Sequence, residues 1–160
     1  MVNLYIALTA LFITLVVALF ALALIEASLL HLRRSEVAVA AAAGDRGAAR
    51  LLRLLDDLPR VMNAVLLAVL LGQVTATSIA GLLAKHWFGG TGITIATVAV
   101  TVLLFVYGEA IPKTLAIRQP LKIARQLSGV TQWLAVVLRP FVSLLVLIAN
   151  AQSPARATDT

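Results

Sequence analysis

The chain has 160 residues, of which 61% are hydrophobic and only 12% are charged. Soluble globular domains are about 45–50% apolar, so this composition excludes an ordinary soluble protein and places the chain in a lipid bilayer. The formal net charge is +6, but the basic residues flank apolar stretches, which indicates anionic lipid headgroups and argues against nucleic acid as a partner. The absence of cysteine excludes disulfides and thiolate chemistry.

The first apolar stretch, residues 4–30, is longer than the about 20 residues that cross a bilayer, and it predicts a retained transmembrane helix rather than a signal peptide. Glu26 is its one charged residue and lies near its far end. This carboxylate either reaches the interface or pairs with Arg33 or Arg34, or it serves as an accessory carboxylate in transport.

Residues 31–60 change character, because charged residues alternate with alanines and leucines. Such an amphipathic pattern is typical of helices that lie on a membrane surface. Residues 44–47, Gly-Asp-Arg-Gly, are a turn signal, so we predict two short helices that form an interfacial hairpin. The leucines of its second half are expected to face the lipid or the other helices: Leu51, Leu52, Leu54, Leu55 and Leu58.

Residues 61–84 predict the second transmembrane helix, in which small residues recur at every fourth position. A stripe of small side chains lets another helix approach closely, and packing drives helix association in a bilayer. Gln73 and Thr77 lie one turn apart beside this stripe, and a glutamine amid leucines needs either a hydrogen-bond partner or a ligand. The stripe comprises Ala64, Ala68, Gly72, Ala76, Ala80 and Ala84.

The third predicted transmembrane helix, residues 92–111, follows a short turn at 85–90 and ends in the segment Gly-Glu-Ala-Ile-Pro-Lys at 108–113. No charged residue precedes Glu109 in this helix, so its carboxylate is carried into or near the hydrocarbon, where such a group is costly and usually functional. Pro112 has no N–H to donate to the Gly108 carbonyl, and the absent side chain of Gly108 lets another group approach. A carbonyl and a carboxylate side by side suit a hard cation.

A second interpretation of the same segment is a plain proline kink. Glu109 would then reach towards water or pair with Lys113 one helical turn later. An intramembrane enzyme is disfavoured under either interpretation, because the predicted spans contain no Ser/His, paired-Asp or HExxH arrangement.

Basic residues punctuate an apolar sequence after the third span, and Pro120 interrupts it. We predict an amphipathic helix along the interface here. A later apolar segment, residues 133–148, carries Arg139 and Pro140 near its centre, so we expect a surface-lying belt helix rather than a fourth crossing. The predicted fold is all-α, with three transmembrane helices, the hairpin and a C-terminal juxtamembrane belt in residues 1–150, followed by a disordered cytosolic tail at 151–160.

The distribution of lysine and arginine predicts the orientation. Residues 31–60 hold six, residues 85–92 hold one and residues 113–160 hold six. Because cytosolic loops carry the excess of basic residues, the N-terminus is predicted outside and the C-terminus in the cytosol of a multi-pass cell-membrane protein. Glu26 and Glu109 then both lie towards the inner side and are expected to be neighbours.

This order of parts resembles the CNNM/CorC transmembrane domain of magnesium and cobalt efflux proteins. The most specific match is the segment at 108–113, which is similar to that family's Gly-Glu-x-x-Pro-Lys signature, and the resemblance covers about residues 5–150. It implies a homodimer that binds a dehydrated divalent cation, Mg²⁺, between the spans. It further implies that the Gly108 carbonyl and Glu109 line this site, and that Gln73 and Thr77 occupy the positions of two family asparagines.

The chain departs from the family pattern before Glu26, where it reads Ala-Leu-Ile instead of the family's Ser-Gly-Ser and so lacks the hydroxyl ligands. It departs again at Gln73, which is one methylene longer than asparagine. Mg²⁺ demands near-octahedral geometry, so two functions stay open. One is divalent-cation transport or efflux; the other is a non-transporting scaffold or regulatory subunit in a heterodimer with an intact relative. Family members continue into nucleotide-binding CBS domains, for which residues 151–160 leave no room, so we expect no ATP site in this chain.

Overall fold

The computed structural model describes residues 2–152, and every regular element in that range is a helix. The predicted all-α class is therefore confirmed. The elements are α1 (Val2–Leu30), α2 (Arg34–Ala42), α3 (Arg46–Leu55), α4 (Leu58–Phe105), a π-helical turn (Val106–Ala110), α5 (Ile111–Arg118), α6 (Pro120–Val137) and α7 (Arg139–Gln152).

Three helical segments are long and apolar enough to cross a membrane, and they span Asn3–Leu30, Leu58–Gly90 and Gly92–Arg118. The backbone leaves helical geometry at Gly89 (φ 70°, ψ −165°), which divides α4 at the turn predicted for residues 85–90. Glycine adopts this positive φ without a steric penalty. The third segment runs on to Arg118 instead of ending at residue 111, because Pro112 stands in the first turn of α5, where a missing N–H is tolerated.

The C-terminal segment divides where Arg139 and Pro140 occur. The belt helix expected within residues 133–148 is not continuous, since α6 ends at Val137 and α7 begins at Arg139. The 14 residues of α7 reach about 21 Å, which is less than the about 30 Å of a hydrocarbon core. This length agrees with a belt helix. Residues 151–152 of the predicted tail end α7, and residues 153–160 lie outside the described residues.

Helices α2 and α3 form the predicted hairpin, with Gly44 at φ 90° in its turn. Asp45 caps α3, because its carboxylate accepts hydrogen bonds from the backbone N–H groups of Gly47 (2.8 Å) and Ala48 (3.0 Å). The bond from Ala48 holds the pKa of Asp45 below its usual value. Arg125 Nη1 lies 2.8 Å from the other carboxylate oxygen, so the turn is tied to α6.

The larger hydrophobic core lies where the hairpin meets α1, the start of α4 and α6. Leu51 and Leu54 of α3 are buried in it, so these two leucines face the other helices rather than lipid. The hairpin is therefore packed into the fold and does not merely rest on the membrane surface. The buried members are Ile25, Leu29, Val37, Ala48, Leu51, Leu54, Val61, Val65, Ala124 and Leu134.

The small-residue stripe of α4 packs as predicted. A β-carbon added to Gly72 would lie 2.9 Å from Cδ2 of Leu19, which shows how closely α4 approaches α1. Leu19 is buried with Ala76 and Leu104 in a second, smaller core between the spans. The buried stripe members are Ala64, Ala76, Ala80 and Ala84, while Ala68 and Gly72 are half-buried.

Candidate functional site

The turn that carries Glu109 is a π-helix, Val106–Ala110, between α4 and α5. The backbone N–H of Ile111 donates to the carbonyl of Val106, five residues earlier. Single π-turns within helices occur frequently at functional sites. The widened turn lies directly before Pro112, and the bend predicted at this proline stays a prediction.

Glu109 meets Gln73 across two spans. Gln73 Nε2 donates to Glu109 Oε1 at 2.6 Å, and both residues are half-buried. Gln73 lies 15 residues after Leu58 and 17 before Gly90, the ends of the second membrane segment, so the contact is near the middle of that segment. The structure brings these two predicted site residues together, and the interhelical hydrogen bond is one of the two roles that the sequence left open for Gln73.

Glu26 pairs with Lys113, and two sequence-based expectations about these residues are wrong. Glu26 Oε1 lies 3.4 Å from Lys113 Nζ, whereas Arg33 and Arg34 bind other acids. The physical reason is that α5 packs alongside α1, while the chain turns away into α2 before the two arginines. Within residues 2–152, no cationic group lies within ion-pair distance of Glu109, so the expected Glu109–Lys113 pair is not formed.

Thr77 lies one turn beyond Gln73 and is half-buried. Its hydroxyl donates to the Gln73 carbonyl at 2.8 Å, so the hydroxyl hydrogen is used within its own helix. The lone pairs of Thr77 Oγ1 are left to accept from, or ligate, another group. The structure places Thr77 beside Gln73 but records no direct contact with Glu109 among the described hydrogen bonds.

Gly108 and Pro112 are both buried at the bend. A β-carbon built on Gly108 would lie 3.9 Å from Leu19 Cβ, which is ordinary van der Waals contact. Helix α1 therefore leaves room for a methyl group at Gly108, and the close approach of another group to the Gly108 carbonyl stays a prediction. The Gly108 carbonyl still lacks its i+4 donor, because Pro112 has no N–H.

The residues proposed from the sequence offer hard oxygen groups with a single carboxylate among them, and of these only Gln73 and Glu109 are in direct side-chain contact in the described hydrogen bonds. The described part of the chain holds no cluster of three or more His, Cys, Asp or Glu residues that could bind a metal. One carboxylate with neutral oxygens from an amide, a carbonyl and a hydroxyl is the composition of a weak, exchangeable cation site.

Two contributors to the site region were missed by sequence reasoning. Leu19 of α1 packs against both Gly72 and the Gly108 turn, and nothing in an all-apolar helix distinguishes this leucine from its neighbours. Lys113 pairs with Glu26, whereas helical spacing pointed to Glu109. The register of α1 against α5 decides that pairing, and no local pattern reports it.

Fold and site together define a multi-pass α-helical membrane protein with a polar site inside its spans. The chain belongs to the family described as the Cyclin M transmembrane N-terminal domain, CNNM, which it matches over residues 8–157. This match confirms the family resemblance that residues 108–113 suggested.

The similar proteins include bacterial and plant members. The chain is 30% identical to the UPF0053 inner membrane protein YfjD of Escherichia coli over 120 residues, which cover 75% of this chain and 28% of that protein. It is 28% identical to a UPF0053 protein of Haemophilus influenzae over 141 residues, 86% of this chain and 34% of that protein. A chloroplastic DUF21 domain-containing protein of Arabidopsis thaliana is 28% identical over 96 residues, 60% of this chain and 14% of that protein. The chain thus spans about a third or less of these curated relatives.

Proposed function

We propose that the chain transports a divalent cation, Mg²⁺, across the membrane through the site formed by Glu109 and Gln73. The observation that carries this proposal is the 2.6 Å contact between an amide of one span and a carboxylate of another, without a cationic partner for the carboxylate in residues 2–152. An acid inside a membrane is costly unless its charge is compensated. A visiting cation supplies that compensation, and the role is transport rather than catalysis.

The proposed ligands can all present oxygen to the ion. Gln73 donates an amide N–H to Glu109; turning the amide over would direct its oxygen to a cation instead. The Gly108 carbonyl has no i+4 donor, and the Thr77 hydroxyl retains its lone pairs. Mg²⁺ prefers oxygen ligands, so one carboxylate with neutral donors is sufficient to hold it and weak enough to release it.

We also propose the orientation and assembly that accompany transport. The basic hairpin and the basic C-terminal region lie in the cytosol, and the N-terminus lies outside. A second copy, or a related membrane protein, covers the surface of α4 that carries Gln73 and Thr77. Support comes from a groove of about 350 Å³ there, which these residues line with Leu70, Val74 and Ser78. Leu70 and Val74 are exposed large hydrophobics.

The test is Mg²⁺ flux into liposomes that contain purified protein and an internal Mg²⁺-sensitive dye. The wild type should give flux, and Glu109→Gln should abolish it because the charged ligand is lost. Glu36→Gln is the matched control, since it neutralises an exposed acid of α2 outside the spans, and flux should persist. Flux that survives Glu109→Gln would remove the site assignment.

The alternative function is a non-transporting scaffold or regulatory subunit. The hydrogen bond from Gln73 to Glu109 favours it, because an amide that is bonded to the carboxylate joins two spans and so serves a structural role. No flux from the wild type, together with stable co-purification of a second membrane protein with intact family ligands, would establish the scaffold and reject transport.

A further inference from the structure

The ion pair between Glu26 and Lys113 joins α1 to α5, the helix that directly follows the π-turn carrying Glu109. Glu26 has only 13% of its side chain exposed, whereas Lys113 is 38% exposed, so the acid is enclosed and the amine retains a path to water. Lys113 also lies one helical turn beyond Glu109 and is within reach of that acid by helical spacing. In the structure, however, Lys113 pairs with Glu26, and Glu109 accepts a hydrogen bond from the neutral amide of Gln73.

The formal charges of Glu26, Glu109 and Lys113 determine the net charge of this region. Two carboxylates and one ammonium sum to −1 while no ion is bound. A divalent cation at Glu109 would bring the sum to +1 as long as Lys113 stays, and an uncompensated charge is costly in a low-dielectric site. If Lys113 leaves, the cation and the two carboxylates sum to zero. A long lysine side chain can make this move, because its stem stays in apolar surroundings while its head reaches water.

We propose that Lys113 is an internal competitor of the transported ion: its ammonium group pairs with Glu26 and is displaced towards the cytosolic surface when a divalent cation binds at Glu109. This inference rests on the proposed function. Lys113 competes with the cargo for the combined negative charge of Glu26 and Glu109. It therefore weakens divalent binding and neutralises Glu26 again after the ion has left.

Two substitutions that break the same ion pair should then act in opposite directions on Mg²⁺ affinity. Lys113→Met removes the competing charge and leaves Glu26 to attract the ion, so affinity should rise by roughly tenfold or more. Glu26→Gln frees Lys113 to turn to Glu109, so affinity should fall by a similar factor. A merely structural ion pair predicts a change of the same sign in both variants. Lys122→Met is the matched control, because Lys122 is exposed on α6, and it should leave the affinity unchanged.

The experiment titrates purified full-length wild-type and variant protein with Mg²⁺ by calorimetry. A second measurement avoids any folding defect of the variants: wild-type protein is labelled with an amine-reactive succinimidyl ester, and labelling of Lys113 relative to Lys122 is followed by peptide mass spectrometry. Saturating Mg²⁺ should increase the relative labelling of Lys113 severalfold. Mg²⁺ binding that leaves this labelling unchanged, or that shifts in the same direction in both variants, would overturn the inference alone. No Mg²⁺ binding by the wild type would overturn the proposed function and the inference with it.

Discussion

The close contact between the first two spans gives a stability prediction for Gly72→Ala. A β-carbon at residue 72 would lie 2.9 Å from Cδ2 and 3.4 Å from Cγ of Leu19, which is 2% exposed. Inserting a methyl group into such packing costs about 1–3 kcal/mol. Replacing glycine by alanine in a helix stabilises the helix by about 1 kcal/mol. The net effect should be destabilisation of up to about 2 kcal/mol.

Gly81→Ala is the matched control for this prediction. Gly81 lies in the same helix, and a β-carbon there would have no neighbour within 4 Å. Only the higher helix propensity of alanine should therefore change the free energy of unfolding. The two variants should therefore differ by about 1–3 kcal/mol in free energy of unfolding. The assay is equilibrium unfolding in mixed detergent and dodecyl sulfate, followed by fluorescence of Trp87 and Trp133.

A double variant tests whether Leu19 is the cause. Leu19→Val removes the δ-carbons that the new methyl group would strike, so Leu19→Val with Gly72→Ala should be less destabilised than the sum of the single variants by more than about 0.5 kcal/mol. If Gly72→Ala is as stable as Gly81→Ala, then spans one and two do not pack through Leu19, and the assignment of the small-residue stripe to this contact is refuted.

Three further predictions concern the hairpin and the site. Gly47→Ala should destabilise the hairpin by about 1–3 kcal/mol, because its β-carbon would lie 2.7 Å from Cγ and 3.1 Å from the carbonyl oxygen of Arg125; limited proteolysis of the hairpin measures this. The lowered pKa of Asp45 stabilises the hairpin above about pH 4, and this stabilisation is lost as the pH falls through the pKa of the folded state. Asp45→Asn keeps a capping side chain but cannot titrate. In a plot of the unfolding midpoint against pH, this variant should therefore lose less stability at acidic pH than the wild type. Gln73→Leu should weaken Mg²⁺ binding by about tenfold in calorimetry through loss of one oxygen ligand beside Glu109, whereas Gln73→Asn should retain tighter binding than Gln73→Leu.

Much of the architecture follows from local sequence. The three spans are set by the thickness of the hydrocarbon, since long uncharged stretches have no other stable environment. The hairpin turn follows from Gly44 and the capping side chain of Asp45, and the packing face of α4 follows from its small residues. Glu109, Gln73 and Pro112 could be singled out because an acid, an amide and a proline are each conspicuous in apolar helices.

The choice of partners came only from the tertiary structure. Glu26 binds Lys113 rather than Arg33 or Arg34, because α5 packs beside α1, and a local pattern contains neither the rotation nor the register of one helix against another. The same register brings Gln73 to Glu109 and seats Leu19 between Gly72 and the π-turn. Sequence alone determined which residues are costly in lipid, since that cost depends on each residue and its immediate neighbours. The fold decided which partner compensates each costly residue, since compensation requires contact between residues that are far apart in the sequence. Glu26 and Lys113, for example, are 87 positions apart.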